Sequence, residues 1–209
     1  MPAKNSIKEY VDEGYYHIYN RGVEKRDIFL DTQDYHVFLK YLQQALSDPD
    51  LGPGGMNSYY VPQNFSAKIE LLGYCLMPNH VHLIIKQHES RSIEGFARSI
   101  FTRYSMYFNR RYGRVGSLFQ GRYRAARVQT EEYLLHLSRY VHLNPGKEYP
   151  AYPYSSFQYF LSNETAPWVN SIFVPSLLSR GLTYRDFMKS SKFEGEDELE
   201  LGDLTLEEF

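Results

Sequence analysis

The stretch Met-Pro-Asn-His-Val-His-Leu-Ile-Ile, residues 77–85, opens an aliphatic run with two histidines that are one residue apart. It joins two apolar segments, residues 67–77 and 80–87, whose length and composition are typical of buried strands. Only Pro78 and Asn79 separate these segments, and a connection this short favours an antiparallel pair. The sequence therefore predicts a β-hairpin whose second strand begins with the histidine pair.

Alternate residues of a strand lie on the same face of a sheet, so His80 and His82 are expected to project together while Val81 faces the other side. Two imidazoles held in this way would supply two ligands of a divalent metal site. The pattern alone is weak evidence, because the chain has 7 histidines and a His-x-His pair also arises by chance. A pair of surface histidines is the alternative interpretation.

The segments around the hairpin carry further strand and helix patterns. Residues 14–22 are rich in aromatic residues and end in Asn-Arg-Gly, which predicts a first strand followed by a turn. Apolar residues recur with helical spacing in residues 31–46, 92–113 and 130–144. Residues 116–129 contain several glycines and predict a loop with a short strand. This order indicates an α+β fold, with a central antiparallel sheet and helices packed mainly on one face.

Charge is distributed unevenly along the chain. The formal net charge is -2, but residues 194–209 hold eight acidic residues and no basic one, so the rest of the chain carries about +6. A segment with this many acidic residues and no basic one is expected to be disordered. The remainder of the chain is expected to favour anionic partners.

Residues 98–127 contain arginine but no Asp, Glu or Lys. A block of this kind cannot be neutralised locally, and aromatic residues are interleaved with it, which favours contact with nucleic acid. A solvated helix face is the alternative. The candidate DNA-binding residues are Arg98, Arg103, Arg110, Arg111, Arg122, Arg124 and Arg127.

Composition excludes several classes of protein. The chain contains a single cysteine, Cys75, which rules out an internal disulfide framework and a multi-cysteine zinc site. No apolar run approaches the ~18 residues that span a bilayer, and the N-terminus has no signal-peptide core. We therefore expect a cytoplasmic protein that makes no membrane contact. The sequence also contains no P-loop pattern.

The helix predicted over residues 130–144 offers Tyr140 and Asn144, which are four residues apart and so lie on one face. Asn144 directly precedes Pro145, so its amide is expected at the helix end, where it can reach outward. Tyr140 would lie one turn earlier. A phenol becomes a usable nucleophile when the charge that develops on the attacked phosphate is stabilised. The alternative is a packing role, since the chain has 20 tyrosines.

These motifs together resemble the single-tyrosine His-hydrophobic-His (HUH) transposases, in particular the branch associated with repetitive extragenic palindromes (REP). The resemblance rests on "YHIYNRGVEKRDIFLDTQDYHVFL", "MPNHVHLII", "FQGRYRAARV", "YLLHLSRYVHLNP" and "YPYSSFQYFL" in this order, and it spans residues 14–161. It implies a ferredoxin-like or RRM-like HUH core over residues 1–161. A helical extension over residues 162–193 and the acidic tail 194–209 would follow.

The resemblance also implies an activity and its residues. His80, His82 and Asn144 match the metal ligands, Tyr140 matches the nucleophile, and the metal would be Mg2+ or Mn2+. The expected activity is cleavage and transfer of single-stranded DNA next to a hairpin, through a 5′-phosphotyrosine. Because the covalent link conserves the phosphodiester energy, no nucleotide cofactor is expected. We expect a monomer in which Tyr140 serves the histidine pair of its own chain.

Two other functions fit the same residues. The chain could bind hairpin DNA without cleaving it, or it could be a metal-dependent nuclease in which water replaces the tyrosine. Only transesterification leaves a protein-linked DNA strand.

Overall fold

The structure is a computed structural model that describes residues 9–48, 63–162 and 166–190. A four-stranded sheet has the order β2-β3-β1-β4. Its strands are β1 (Gly14–Arg21), β2 (Ile69–Met77), β3 (His80–Gln87) and β4 (Arg124–Val128). The helices are α1 (Thr32–Leu46), α2 (Ser92–Arg111), α3 (Glu131–Leu143), α4 (Phe157–Leu161), α5 (Phe173–Ser176) and α6 (Tyr184–Lys189). Short 3-10 helices cover Val23–Lys25 and Gly146–Ala151.

The predicted hairpin is present, with Met77 paired to His80 across the two-residue turn. Strand β1 lies between β3 and β4 and is antiparallel to both. Its C-terminal residues pair with the histidine motif, Tyr19 with His82 and Arg21 with His80. Paired residues of neighbouring strands face the same side of a sheet. The side chains of these two pairs therefore all lie on the face that α3 covers.

Alternation along the strands separates two hydrophobic cores. Ile18, Val81 and Leu83 belong to the core that α1 and α2 cover. Cys75 and Ile84 belong to the other core, which residues of α3, α4 and α6 complete. The predicted α+β class with a central antiparallel sheet is confirmed, but helices cover both faces of the sheet rather than mainly one. The reason is that the strands are apolar on both sides, as buried strands must be.

Helix α3, which carries two of the candidate site residues, begins and ends close to the predicted positions. The Thr130 hydroxyl accepts a hydrogen bond from the Tyr133 backbone N–H at 3.2 Å, and Glu131 and Glu132 in the first turn complement the helix dipole. Asn144 is the C-cap residue. Leu134, Leu137 and Val141 are fully buried, and they fix which face of the helix is turned toward the sheet.

The described part of the predicted extension contains α5 and α6. Tyr184, Phe187 and Met188 of α6 join the core beneath α3. The acidic segment 194–209 lies outside the described residues. Within the described ranges, no helix is long and apolar enough to cross a membrane.

Candidate active site

The side chains His80, His82, Tyr140 and Asn144 meet between β3 and α3. The ring centroids of His80 and His82 are 4.8 Å apart, and those of His82 and Tyr140 are 5.7 Å apart. The Asn144 Oδ1 atom lies 2.9 Å from Nε2 of His80. The sheet thus presents both imidazoles to the last turns of α3, although the two elements are far apart in sequence.

The tautomer of His80 follows from the orientation of Asn79. The Asn79 amide donates from Nδ2 to the Lys25 backbone carbonyl at 3.2 Å, which turns its Oδ1 toward Nδ1 of His80 at 2.6 Å. An amide oxygen only accepts, so Nδ1 of His80 carries the proton and donates it. The Nε2 atom then has a lone pair, and this lone pair faces the Asn144 Oδ1. Two acceptors therefore approach each other at 2.9 Å.

A proton on Nε2 of His80, a reversed Asn144 amide or a shared cation would each resolve this contact. Burial lowers the pKa of His80, the contact with Asn144 raises it, and the nearby charge of Arg21 lowers it, with a net downward shift. Protonation at neutral pH is therefore disfavoured.

The second imidazole, that of His82, also has a nitrogen that can act as a metal ligand. His82 is fully buried, and its Nε2 has no hydrogen-bond partner among the described residues. Burial first, and then the charges of His80 and His17, lower the pKa of His82 well below 6.5, although Asn144 is close enough to raise it in part. His82 is therefore a neutral imidazole at pH 7.

His17, which the sequence patterns did not single out, sets the orientation of His82. It is a fully buried residue of β1, and its Nε2 lies 2.8 Å from Nδ1 of His82. A proton on Nδ1 of His82, donated to His17, leaves Nε2 of His82 as an inward lone pair, as a metal ligand requires. The aromatic strand "GYYHIYNR" contained the residue, but only the register of β1 against β3 shows its partner.

Tyr140 packs edge-on against two of these imidazoles. Its ring makes an angle of 89° with that of His82, and it makes an angle of 81° with that of His17 at a centroid distance of 6.4 Å. The side chain is half-buried, which keeps a path from solvent to the site. The phenol thus lies beside the histidines and one turn from Asn144.

The donor set fits a divalent cation. Two neutral imidazole nitrogens and one amide oxygen suit several first-row divalent metals. Ligands at right angles around a cation with bonds of ~2.1 Å are about 3 Å apart, and His80 Nε2 and Asn144 Oδ1 are separated by 2.9 Å. No group of three His, Cys, Asp or Glu in the described ranges could hold a metal, so an amide would have to be the third protein ligand.

The structure divides the seven arginines between different surroundings. Arg111 donates to both Asp31 and Asp34 of the α1 N-terminus, each at 2.6 Å. The block was expected to need anions from another molecule because it contains no acidic residue. This expectation fails for Arg111, whose partners come from a helix of the same chain that is distant in sequence. Arg103 lies over the Tyr41 ring at 4.0 Å and donates to Gln44 at 2.6 Å, so it too packs against α1.

Two arginines line a cavity of about 820 Å³ between α2 and the loop that precedes β4. These are Arg98 and Arg122, which are both exposed, and they share the cavity with Phe101 and Tyr123. Phe101 is buried and Tyr123 is partly exposed, so Tyr123 is the ring on which an unpaired base could stack beside these arginines.

The last three arginines lie at the edges of the molecule. Arg110 is exposed in a shallow cleft between α1 and α2. Arg124 and Arg127 belong to the edge strand β4, where they pair with Tyr19 and Tyr16 respectively. Tyr19 and Tyr16 lie on opposite faces of β1, so Arg124 faces the side of the candidate active site and Arg127 faces the side of α2.

Two histidines of α3 lie outside the site. His142 is fully buried. Its Nδ1 and Nε2 lie 2.8 Å from the Tyr184 hydroxyl and the Ser156 Oγ respectively. His136 is buried against the Phe187 ring.

Comparison with known proteins relates the chain to one family. Residues 58–144 match the family model described as "Transposase IS200 like". A solved structure described as "Structure of the REP associates tyrosine transposase bound to a REP hairpin" matches with a TM-score of 0.55 and 15% identity. The match covers 75% of this chain and 84% of the other. No curated protein matches the sequence.

Proposed function

We propose that this chain, whose residues 58–144 match the model of the IS200-like transposase family, cleaves single-stranded DNA next to a hairpin by transesterification. Tyr140 is the nucleophile in this proposal, and His80, His82 and Asn144 hold a divalent cation, Mg2+ or Mn2+. The observation that carries the proposal is the convergence of a phenol, two neutral imidazoles and an amide from β3 and α3.

The reaction is a single exchange of phosphate esters. The Tyr140 hydroxyl loses its proton to solvent and its oxygen bonds to the scissile phosphorus, while the bond to the 3′-oxygen breaks and that oxygen takes up a proton. The products are a 5′-phosphotyrosine and a free 3′-hydroxyl. When bound, the cation would draw charge from the non-bridging phosphate oxygens. Because the ester count is unchanged, a 3′-hydroxyl of another strand can reverse the step without a nucleotide cofactor.

The side chains that surround Tyr140 contribute to this step in different ways. The edge-on packing against His82 and His17 limits the rotation of the phenol. Little further rotational entropy is therefore lost on reaching the transition state. Asn79 fixes the tautomer of His80, and His17 offers Nδ1 of His82 a hydrogen-bond partner. Tyr140 lies beside the histidine pair of its own chain, as the proposed monomer requires.

The proposed substrate is a folded-back single strand. The similar solved structure is that of a transposase bound to a REP hairpin, and in the present chain the cavity with Arg98 and Arg122 lies on the α2 side of the sheet. Arg127 and Arg124 follow around the edge strand β4 to the side of Tyr140. This arrangement supports a path for the single-stranded DNA that runs from the cavity, around the edge of the sheet at β4, to the candidate active site.

The experiment is incubation of the full chain with end-labelled, hairpin-bearing single-stranded DNA and Mn2+ or Mg2+, followed by a denaturing gel. A cation-dependent protein–DNA band together with a free 3′-hydroxyl product supports transesterification. A product with a free 5′ end and no protein-linked band would make the chain a hydrolase. DNA that is retarded on a native gel but stays intact on the denaturing gel would make it a binding protein.

A further inference from the structure

We propose that Arg21 is a phosphate-binding residue of the candidate active site, where its guanidinium contacts the scissile phosphate beside His80. This proposal rests on the proposed function, since it assigns a residue to the same reaction. Arg21 lies outside the arginine block that the sequence singled out and outside residues 58–144 matched by the family model.

The backbone places Arg21 at the site. It is the last residue of β1 and pairs directly with His80 of β3, so both side chains leave the sheet on the same face. Its own N–H donates to the Asn20 Oδ1 at 3.0 Å, and its carbonyl accepts from the Gln120 N–H at 2.8 Å. The Cα is therefore held between strand β3 and the loop that leads to β4. The guanidinium is close enough to His80 to lower its pKa.

Among the residues that the structure describes, the charge of Arg21 lacks a partner. Its Nε is buried and makes no hydrogen bond, and no carboxylate forms an ion pair with it in the ranges that the structure describes. Arg111 and Arg26, in contrast, are paired with Asp31 and Glu24. A guanidinium that has lost part of its water and has no counter-ion is costly to bury unless an anion joins it.

The neighbouring groups identify the anion. An unpaired cation beside two imidazoles and an amide that fit a second cation leaves this pocket with excess positive charge. A phosphodiester bears one negative charge on two non-bridging oxygens, and the planar guanidinium matches two such oxygens with parallel N–H donors. During attack by a phenol the charge on these oxygens increases, so a preorganised donor contributes more in the transition state than in the ground state.

The first test uses Arg21→Gln and Arg21→Lys, with Arg26→Gln as the matched control on the adjacent turn. Loss of one preorganised donor reduces the rate of an enzyme ~100- to 1000-fold. We expect Arg21→Gln to slow single-turnover formation of the covalent adduct by this factor while hairpin affinity changes less than about threefold. Arg21→Lys should restore part of the rate because it keeps the charge. A normal rate in Arg21→Gln would overturn the proposal.

The second test does not require cleavage. In a Tyr140→Phe background, binding is compared for hairpins whose scissile linkage is a phosphate or a neutral methylphosphonate. The chain with Arg21 should bind the phosphate more tightly, and Arg21→Gln should abolish that preference while Arg26→Gln keeps it. A preference that survives Arg21→Gln overturns the proposal even if the fold is intact. If the wild-type chain forms no adduct but shows the Arg21-dependent preference, the proposed cleavage fails and the phosphate contact stands.

Discussion

At the residue scale, the histidine pair acquires its chemistry from side chains that the motif does not contain. His-x-His fixes only that two imidazoles share a face of a strand. The Asn79 amide fixes the tautomer of His80, and the His17 ring offers Nδ1 of His82 a hydrogen-bond partner. The histidine pair and the turn before it were visible in the sequence, and Asn79 belongs to that turn. His17 was not identifiable, because its role depends on a strand register between segments 65 residues apart.

Replacement of His17 by Ala should weaken Mn2+ binding by ~10- to 100-fold, the usual cost of removing a residue that orients a metal ligand. Without the acceptor at its Nδ1, His82 loses the preference for the tautomer with the inward lone pair. Isothermal titration calorimetry on the DNA-free chain measures the effect. His36→Ala, at an exposed position of α1, is the control. Equal Mn2+ affinity in the two variants would show that His17 only fills space.

At the element scale, α3 supplies both Tyr140 and Asn144, so its orientation determines the site. Its limits were predictable from the Thr130 cap and from Pro145, and its apolar spacing identified the buried face. The contacts that hold its C-terminal half were not predictable. The Tyr184 hydroxyl of α6 donates to the Ser138 Oγ at 2.9 Å and lies 2.8 Å from Nδ1 of His142. Such long-range polar pairs leave no periodic pattern in a sequence.

The α6 contact gives a direct stability prediction. Tyr184→Phe keeps the ring in the core but removes the hydroxyl that serves Ser138 and His142, which leaves buried polar atoms without a partner. The free energy of unfolding should fall by ~1–3 kcal/mol, as measured by urea denaturation. Tyr133→Phe, at a half-buried position in the first turn of α3, should change it much less. A Tyr184→Phe variant as stable as Tyr133→Phe would mean that α6 does not brace α3 through this hydroxyl.

His142 should make the stability of the fold depend on pH. Burial lowers the pKa of His142 from 6.5 to about 3. Between these pH values His142 is protonated in the unfolded chain but neutral in the folded chain. The contribution is fully present above pH 6.5 and is lost as the pH falls, at about 1.4 kcal/mol per pH unit.

The measurement is urea denaturation of the wild-type chain and of His142→Gln at several pH values between 4 and 7, in steps of ~1 unit. The variant should be less stable at pH 7 but should lose less stability on acidification. If both chains lose stability in parallel, the proton uptake occurs elsewhere.

At the scale of the whole molecule, charge counting overestimated the number of arginines available to DNA. The absence of acids within residues 98–127 was real, but Arg111 pairs with carboxylates of α1 and Arg103 packs on Tyr41. Arg98 and Arg122 at the cavity and Arg127 on β4 remain exposed, and they belong to parts that only the tertiary fold brings near one another. Sequence patterns predicted that the DNA-binding surface is positively charged but not where it runs across the molecule.

This division predicts two kinds of arginine variant. Arg98→Gln and Arg122→Gln should each weaken hairpin binding across sequences and reduce the slope of log affinity against log salt by ~0.7–0.9. Arg111→Gln should leave that slope unchanged and lower the melting temperature, since it removes the partner of the buried Asp34. Fluorescence anisotropy over a salt series measures the slopes. A slope change confined to Arg111→Gln would place the DNA on the α1 side instead.

The central claim is that the phenol of Tyr140 attacks the phosphate beside the two imidazoles. The most direct measurement is peptide mapping by mass spectrometry of the chain after reaction with a hairpin-bearing single strand, Mn2+ and nuclease trimming. The account predicts a nucleotide mass attached through a 5′-phosphate to Tyr140 and its complete loss in Tyr140→Phe. A nucleotide attached to any other residue, or an adduct that persists in Tyr140→Phe, would contradict it.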